Sequence, residues 1–270
     1  ATGSTNWTAI AAGSNHTVGL KSDGTLWAWG NNNEGELGDG TSTSRSTPTQ
    51  IGSATDWYAI AAKTATVALK SPDTLTATKT ADTNDGTCDG DCSLREAIAA
   101  ASAGDIIDVP AGTYTLTSGS ALTIDKGLII SGAGVTNTIV QAATASGAAN
   151  SGVFTVTAGN VTIKDLTARF GNAADSSGHC GAAARQEQSN FGGGIRNTTS
   201  LTLDSVVVTD NQARCKGGGI YNTGVLVLVD STVSDNILNG NSGGSGIANS
   251  GGTVTINRST ISGNGVGGGP

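Results

Sequence analysis

Between Phe191 and Asn264 one short phrase is written three times: GGGIRN over 192–197, GGGIYN over 217–222 and the looser GGSGIAN over 243–249. The asparagines that end them, Asn197, Asn222 and Asn249, are separated by 25 and then 27 residues. A second phrase alternates with the first, SVVVTDN ending at Asn211, STVSDN at Asn236 and STISGN at Asn264, in steps of 25 and 28. A fixed period in the twenties, with short β-rich runs and Gly or Asn at each corner, predicts a solenoid of β-coils in which one period is one coil. In such a stack, the amides of Asn197, Asn222 and Asn249 can donate to one another from coil to coil, so a structural asparagine ladder is expected.

Composition narrows the way this solenoid can be filled. Only 13% of the 270 residues are charged and 4% aromatic, whereas 41 are glycine. A core must therefore come from layers of Val, Ile, Leu and Ala. A net charge of −7 argues against a nucleic-acid groove or an anionic membrane surface, either of which needs a basic face. No apolar run reaches the roughly 18 residues of a membrane span. No initiator Met or charged-then-apolar leader is present, so any signal peptide is expected to have been removed or to lie outside this chain. The four cysteines form two plausible pairs, Cys88 with Cys92 around a tight loop and Cys180 with Cys215 in loops one coil apart, which suggests an oxidising, extracytoplasmic setting.

The chain opens differently. WTAIAA from Trp7 recurs as WYAIAA from Trp57, 50 residues on, and TVGLKS from Thr17 recurs as TVALKS from Thr66. Repeats near this length made of short strands suit propeller blades. Ser22 to Thr25 reads as a hairpin turn before a strand over Leu26 to Trp29. The wording from Trp7 to Thr41 resembles the regulator-of-chromosome-condensation type of propeller repeat over about the first 70 residues. About one and a half repeats are present, against the roughly seven of the ring that this resemblance implies, and the second copy decays. Gly13 is matched by Lys63, His16 has no match, and Pro72 to Thr78 replaces the WAWG strand. His16 is expected to pack inside a blade.

From Leu75 a second architecture is expected. The segment 74–116 resembles the opening of bacterial surface β-helix proteins marked by the string Cys-Ser-Leu-Arg-Glu-Ala, here Cys92 to Ala97. Ser93 and Glu96 make a capping box, and Leu94, Ala97, Ile98 and Ala101 share one face of a short helix near 93–102, suited to covering the first coil. Just before it, Asp82, Asn84, Asp85, Asp89 and Asp91 crowd ten residues. They are a candidate calcium site, although their spacing misses the EF-hand pattern and Asp, Asn and Gly are also plain turn residues. No other cofactor is implied.

Through the middle, short runs at Tyr114 to Leu116, Leu122 to Ile124, Leu128 to Ile130, Ile139 to Val140, Phe154 to Val156, Val161 to Ile163 and Leu166 to Ala168 each suit a strand with one face inward. The excursion from Ala173 to Asn190 carries His179, Arg185, Gln186, Glu187 and Gln188 and is a candidate recognition loop. Asp165, Asp204, Asp230 and Asn257 recur at comparable places, with Arg169, Arg214 and Arg258 scattered among them, as candidates for polysaccharide cleavage. Their phasing suits corner residues better than paired carboxylates. The GGGI-x-N wording resembles β-helical bacterial surface and autotransported proteins, including chlamydial polymorphic membrane proteins, which implies adhesion or scaffolding.

These readings predict an all-β chain: a partial propeller-like antiparallel region over 1–72, then a right-handed parallel β-helix over 73–270 with its capping segment at 73–105. They place it outside the cell or on its surface as a non-enzymatic structural or adhesive solenoid. Its expected partners are further copies of itself in a head-to-tail filament, the rest of a longer chain, or a glycan or host-surface ligand. The alternative is a carbohydrate-binding or polysaccharide-cleaving β-helix.

Overall fold

The computed structural model describes residues 6–173, 191–240 and 243–267. The chain divides into two compact units, Ala1–Pro72 and Asp73–Pro270.

In the first unit, Trp7–Ala12, His16–Lys21, Leu26–Gly30 and Arg45–Gln50 form an antiparallel four-stranded sheet in sequence order, and Trp57–Ala62 pairs with Thr66–Lys70. Gly24, at φ +74°, turns the first tight hairpin. Val18, Leu26, Ala28, Leu37 and Ile51 are buried together, with Trp57, Ile60, Ala62 and Ala68 packed against them. The loop after Gly30 is held by Asn32, which is fully buried. Its Oδ1 accepts from Leu37 N at 2.9 Å while its Nδ2 donates to Asp39 Oδ1 at 3.1 Å and Thr41 O at 2.9 Å. His16 is buried with Gly13 against its ring, as expected of a blade-packing residue.

The second unit is a parallel β-helix. Each full coil contributes to a broad sheet, a narrow sheet and a corner sheet. The broad one has eleven strands, its main path running from Thr74–Thr76 through Ile106–Val109, Ile129–Gly132, Asn160–Arg169, Ser200–Thr209 and Val225–Val229 to Thr253–Asn257. The narrow one stacks Leu122–Ile124, Phe154–Val156, Ile195–Asn197, Ile220–Asn222 and Ile247–Asn249. Four two-residue strands, Asn172–Ala173, Gln212–Ala213, Ile237–Leu238 and Gly265–Val266, make the third.

Alternation along each strand sends every second side chain inward, and parallel register stacks like on like. One such column runs Leu75, Ile107, Ile130, Ile163, Leu203, Leu228 and Ile256. The five in its middle are completely buried, each stabilising the stack by about 1.5–3 kcal/mol relative to an exposed side chain. Thr74–Thr76, where a blade strand would have continued the repeat, instead pairs parallel with Ile106–Val109 and is the first rung of the solenoid.

The two runs 161–163 and 166–168 are one strand bent in its middle. The bend falls on Asp165, and on Ser205, Asp230 and Arg258 in the later coils, all in the left-handed region at φ 47–56°. A second left-handed column, Phe170, Asp210, Asp235 and Gly263, marks the corner just before the corner sheet. Asn and Asp tolerate this conformation better than most side chains. The phrase ending in Asp-Asn is therefore a corner: Asp turns the backbone and Asn fills the space inside it.

Asparagine ladders line two corners. Asn197 Nδ2 donates to Asn222 Oδ1 at 2.7 Å, and Asn222 Nδ2 to Asn249 Oδ1 at 2.8 Å. At the other corner, Asn211 Nδ2 donates to Asn236 Oδ1 at 3.0 Å and Asn236 Nδ2 to Asn264 Oδ1 at 2.9 Å. Asn236 Oδ1 also accepts from Asn211 N at 3.0 Å, and Asn236 Nδ2 also donates to Val208 O at 2.9 Å. Asn236→Ala strands both groups in a fully buried site, so a loss of about 2–4 kcal/mol is expected. Urea unfolding monitored by circular dichroism should show a much smaller loss for Asn249→Ala, whose side chain is exposed; equal losses would refute the ladder's role.

Candidate functional site

The candidate calcium residues do not converge. Asp82 forms a two-toothed ion pair with Arg95, at 2.7 and 3.1 Å, and accepts from Thr117 N and Ser118 N at 2.8 and 2.9 Å. Asp85 accepts from Thr87 N and Oγ1, Asp89 accepts from Asp91 N, and Asp91 pairs with Lys79 at 2.8 Å. Asn84 lies apart, on the rim of a groove beside the helix. Among the described residues no group of three or more His, Cys, Asp or Glu could hold a metal ion. In the structure these acids act as turn and ion-pair residues that fasten the capping segment.

That segment explains its own sequence. The helix spans Leu94–Ala100, and Ser93 and Glu96 close a reciprocal capping box. Cys92 is buried and bridged to Cys88. Leu94 and Ala97 enter the core, and Arg95, besides holding Asp82, donates to Ser120 O and Ala121 O at 2.9 and 3.2 Å. The buried Glu96 carboxylate accepts from Ser93 N at 2.6 Å and from Asp85 N and Thr83 Oγ1, both at 3.0 Å. These bonds, the one from Ser93 N foremost, hold its carboxyl down to about 2 from the ordinary 4.5. Lys126 Nζ caps the helix by donating to the carbonyls of Ile98, Ala99 and Ala101 at 3.0–3.3 Å. The groove of about 350 Å³ beside this helix is lined by Arg95 and Lys126, whose donors already serve the cap.

The acidic residues along the coils hold different places. Asp204 registers with Val229, so Asp230 stands beside Ser205 instead. Asp230 and Arg258 in the next coil form a two-toothed pair with both bonds at 2.7 Å. Asp165 and Asp230 occupy the left-handed bend. Arg169 donates to Gln141 Oε1 at 3.0 Å and lies over the Phe170 ring. Cys215 is buried and disulfide-bonded, while Cys180 lies outside the described residues, as do His179, Arg185, Gln186, Glu187 and Gln188 of the expected recognition loop.

A different cluster emerges on the outer face of the narrow sheet. Outward residues there stack as Thr123, Thr155, Arg196, Tyr221 and Ala248. Phe191, just ahead of its own coil's strand, bridges to Lys216, which holds the same place one coil later. The turn that brings Phe191 back needs Gly192: at φ +74°, a Cβ there would run into the Ile195 carbonyl and lie 3.0 Å from Arg196 Cα. Gly217, at φ +67°, repeats this for Lys216. Phe191, Arg196, Lys216 and Tyr221 therefore stand as a two-by-two array with aromatics on one diagonal and cations on the other. The rings of Phe191 and Tyr221 stack with centroids 4.8 Å apart and planes 24° apart. All four side chains are half-buried. Arg196 Nε is buried with no hydrogen-bond partner among the described residues, and desolvation pushes the guanidinium pKa down, the nearby Tyr221 opposing the shift. The sequence signal was present in the variable x of GGGI-x-N, which is Arg196 and then Tyr221, but the invariant letters draw the eye away from it.

Comparison with known proteins adds two findings. Family models described as the Regulator of chromosome condensation (RCC1) repeat match residues 7–36 and 23–62. A crystal structure of a pectin methylesterase mutant in complex with a hexasaccharide is similar at 17% identity and a TM-score of 0.41, over 72% of this chain and 67% of that one. No curated protein matches the chain. The first unit is thus similar to repeats of the RCC1 type over these residues, and the second is the parallel β-helix already described. Because a solved neighbour of that fold is an enzyme, the expectation of a non-enzymatic solenoid is corrected: the fold gives no ground for excluding catalysis.

The lowered Glu96 pKa makes cap stability pH-dependent. A carboxyl whose folded pKa is depressed stabilises the fold above its unfolded value and loses that contribution as pH falls through the folded one, here between about 4.5 and about 2. Denaturation midpoints measured from pH 6 to pH 2 should fall less steeply for Glu96→Gln than for the parent. Parallel curves would contradict this assignment.

Proposed function

We propose that this protein is an extracytoplasmic β-solenoid that binds polysaccharide along the outer face of its narrow sheet, as a carbohydrate-recognising or adhesive surface. The observation that carries the reading is the Phe191–Tyr221 stack standing beside Arg196 on an outward column that is otherwise Thr and Ala. Aromatic faces present rigid apolar area to the C–H face of a sugar ring, with polar groups at their edge to orient it. A solenoid suits a polymer ligand because equivalent outward positions recur coil after coil.

The setting outside the cytoplasm is supported by the Cys88–Cys92 bridge, since disulfides persist in oxidising compartments. None of the helices among the described residues is long and apolar enough to cross a membrane. The RCC1-type repeats are read as a separate β module in front of the solenoid.

Affinity electrophoresis through gels containing neutral and acidic plant and bacterial polysaccharides tests the reading. The parent should be retarded by at least one polymer, and Tyr221→Ala should weaken that binding about tenfold, equivalent to about 1.4 kcal/mol. Migration unaffected by every polymer, or retention unchanged in Tyr221→Ala, would overturn it.

A further inference from the structure

We propose that Arg196, backed by Lys216, makes this surface a receptor for anionic sugars, with the guanidinium receiving an acid group of the ring that lies against Tyr221 and Phe191. The inference rests on the polysaccharide-binding reading and names its ligand class.

Three other arginines of this chain are held by carboxylates, and a fourth, Arg169, by the Gln141 amide oxygen. Arg45 gives Nε and Nη2 to Asp39, Arg95 grips both oxygens of Asp82, and Arg258 grips both oxygens of Asp230. With 21 acidic residues against 14 basic ones, carboxylates are in surplus. Among the described residues Arg196 nevertheless takes none, and its Nε is enclosed without an acceptor. Burying a guanidinium costs free energy that a partner normally offsets, and this one is desolvated enough to lower its pKa. A planar acceptor with two oxygens is the shape that an arginine fork binds best.

The surroundings specify the rest of the ligand. Lys216 forms no ion pair among the described residues either and sits one coil further along, at the diagonal corner of the array. Neighbouring parallel strands lie about 4.8 Å apart, so the two cations can attend one acid group or two close ones. Tyr221 and Phe191 occupy the remaining corners. An acid group fixed to a ring with an apolar face matches this array: a uronate carboxylate, or the sulfate ester of a sulfated sugar. A free inorganic anion would leave the aromatic pair unused.

Binding of the parent chain to polygalacturonate, to its fully methyl-esterified form, to dextran and to dextran sulfate, measured by calorimetry at low and high salt, separates these cases. The parent should bind polygalacturonate at least tenfold more tightly than the esterified polymer, and added salt should narrow that gap. Arg196→Gln should remove the preference while Tyr221-dependent binding to the uncharged polymer persists. Arg196→Lys should restore part of it, a rescue not expected if Arg196 only packs. Should Arg196→Gln fail to fold, Lys216→Gln in the same assay should reduce the preference severalfold. Preference for dextran sulfate alone would support an anionic-sugar site and assign the acid group to sulfate. Equal binding of charged and uncharged polymers by the parent would overturn this proposal and leave polysaccharide recognition standing, whereas no binding to any polymer would remove both.

Discussion

Parallel stacking in register is the constraint on which the second unit depends. It lets every coil bury its aliphatic residues on those of the next, but it also drives the chain round sharp corners whose polar groups face inward. A corner satisfied by water would open the core. The asparagine ladders solve this within the stack: the Asn236 amide donates to a backbone carbonyl and to the next amide, and its oxygen takes a backbone and a side-chain donor from the preceding coil. In the coil before the ladder begins, Gly171 occupies the equivalent place and its N–H donates to Asn211 Oδ1 at 2.9 Å. The ladder starts where the chain first supplies a side chain able to receive that bond.

The same logic accounts for the cap. A stack of coils needs its first apolar layer covered, and a seven-residue helix is too short to be stable alone. It is therefore tied from several directions. Asp82 reaches the turn at Thr117 and Ser118 as well as Arg95, Arg95 reaches Ser120 and Ala121, and Lys126 gathers the carbonyls at the far end of the helix. Charge here is spent on position, which is why a cluster of acids resembling a cation site holds backbone instead.

Much of this was legible in the sequence, and for a physical reason. Stacking demands similarity between coils, so Asn197, Asn222 and Asn249 repeat visibly, and so does the Asp-Asn corner. The capping box was equally plain because Ser93 and Glu96 interact locally. The role of Asp210 and Asp235 as left-handed residues was not, since Asp before Asn reads equally well as an ordinary polar turn. Nor was the fate of Asp82, whose partners at Arg95 and Ser118 are brought to it by the fold and not by spacing. The strand break expected near Asp165 became a bend because both flanking runs pair with one continuous strand of the next coil, from Asn160 with Ser200 through Arg169 with Thr209.

The outer face obeys an opposite rule. Inward positions are constrained by their neighbours above and below, so they carry the fold and little else. Outward positions on the narrow sheet face no such demand, and a column that begins Thr123 and Thr155 need not continue as Arg196 and Tyr221 for stability. A desolvated, unpaired guanidinium and an aromatic pair are both costly or wasteful on a free surface. Their coincidence on adjacent coils, at the end of turns that require Gly192 and Gly217, marks the place where the solenoid departs from the pattern that folds it. A repeat protein shows its binding chemistry where the repeat changes its letters while keeping its register, and in this chain that place is the fifth letter of GGGI-x-N.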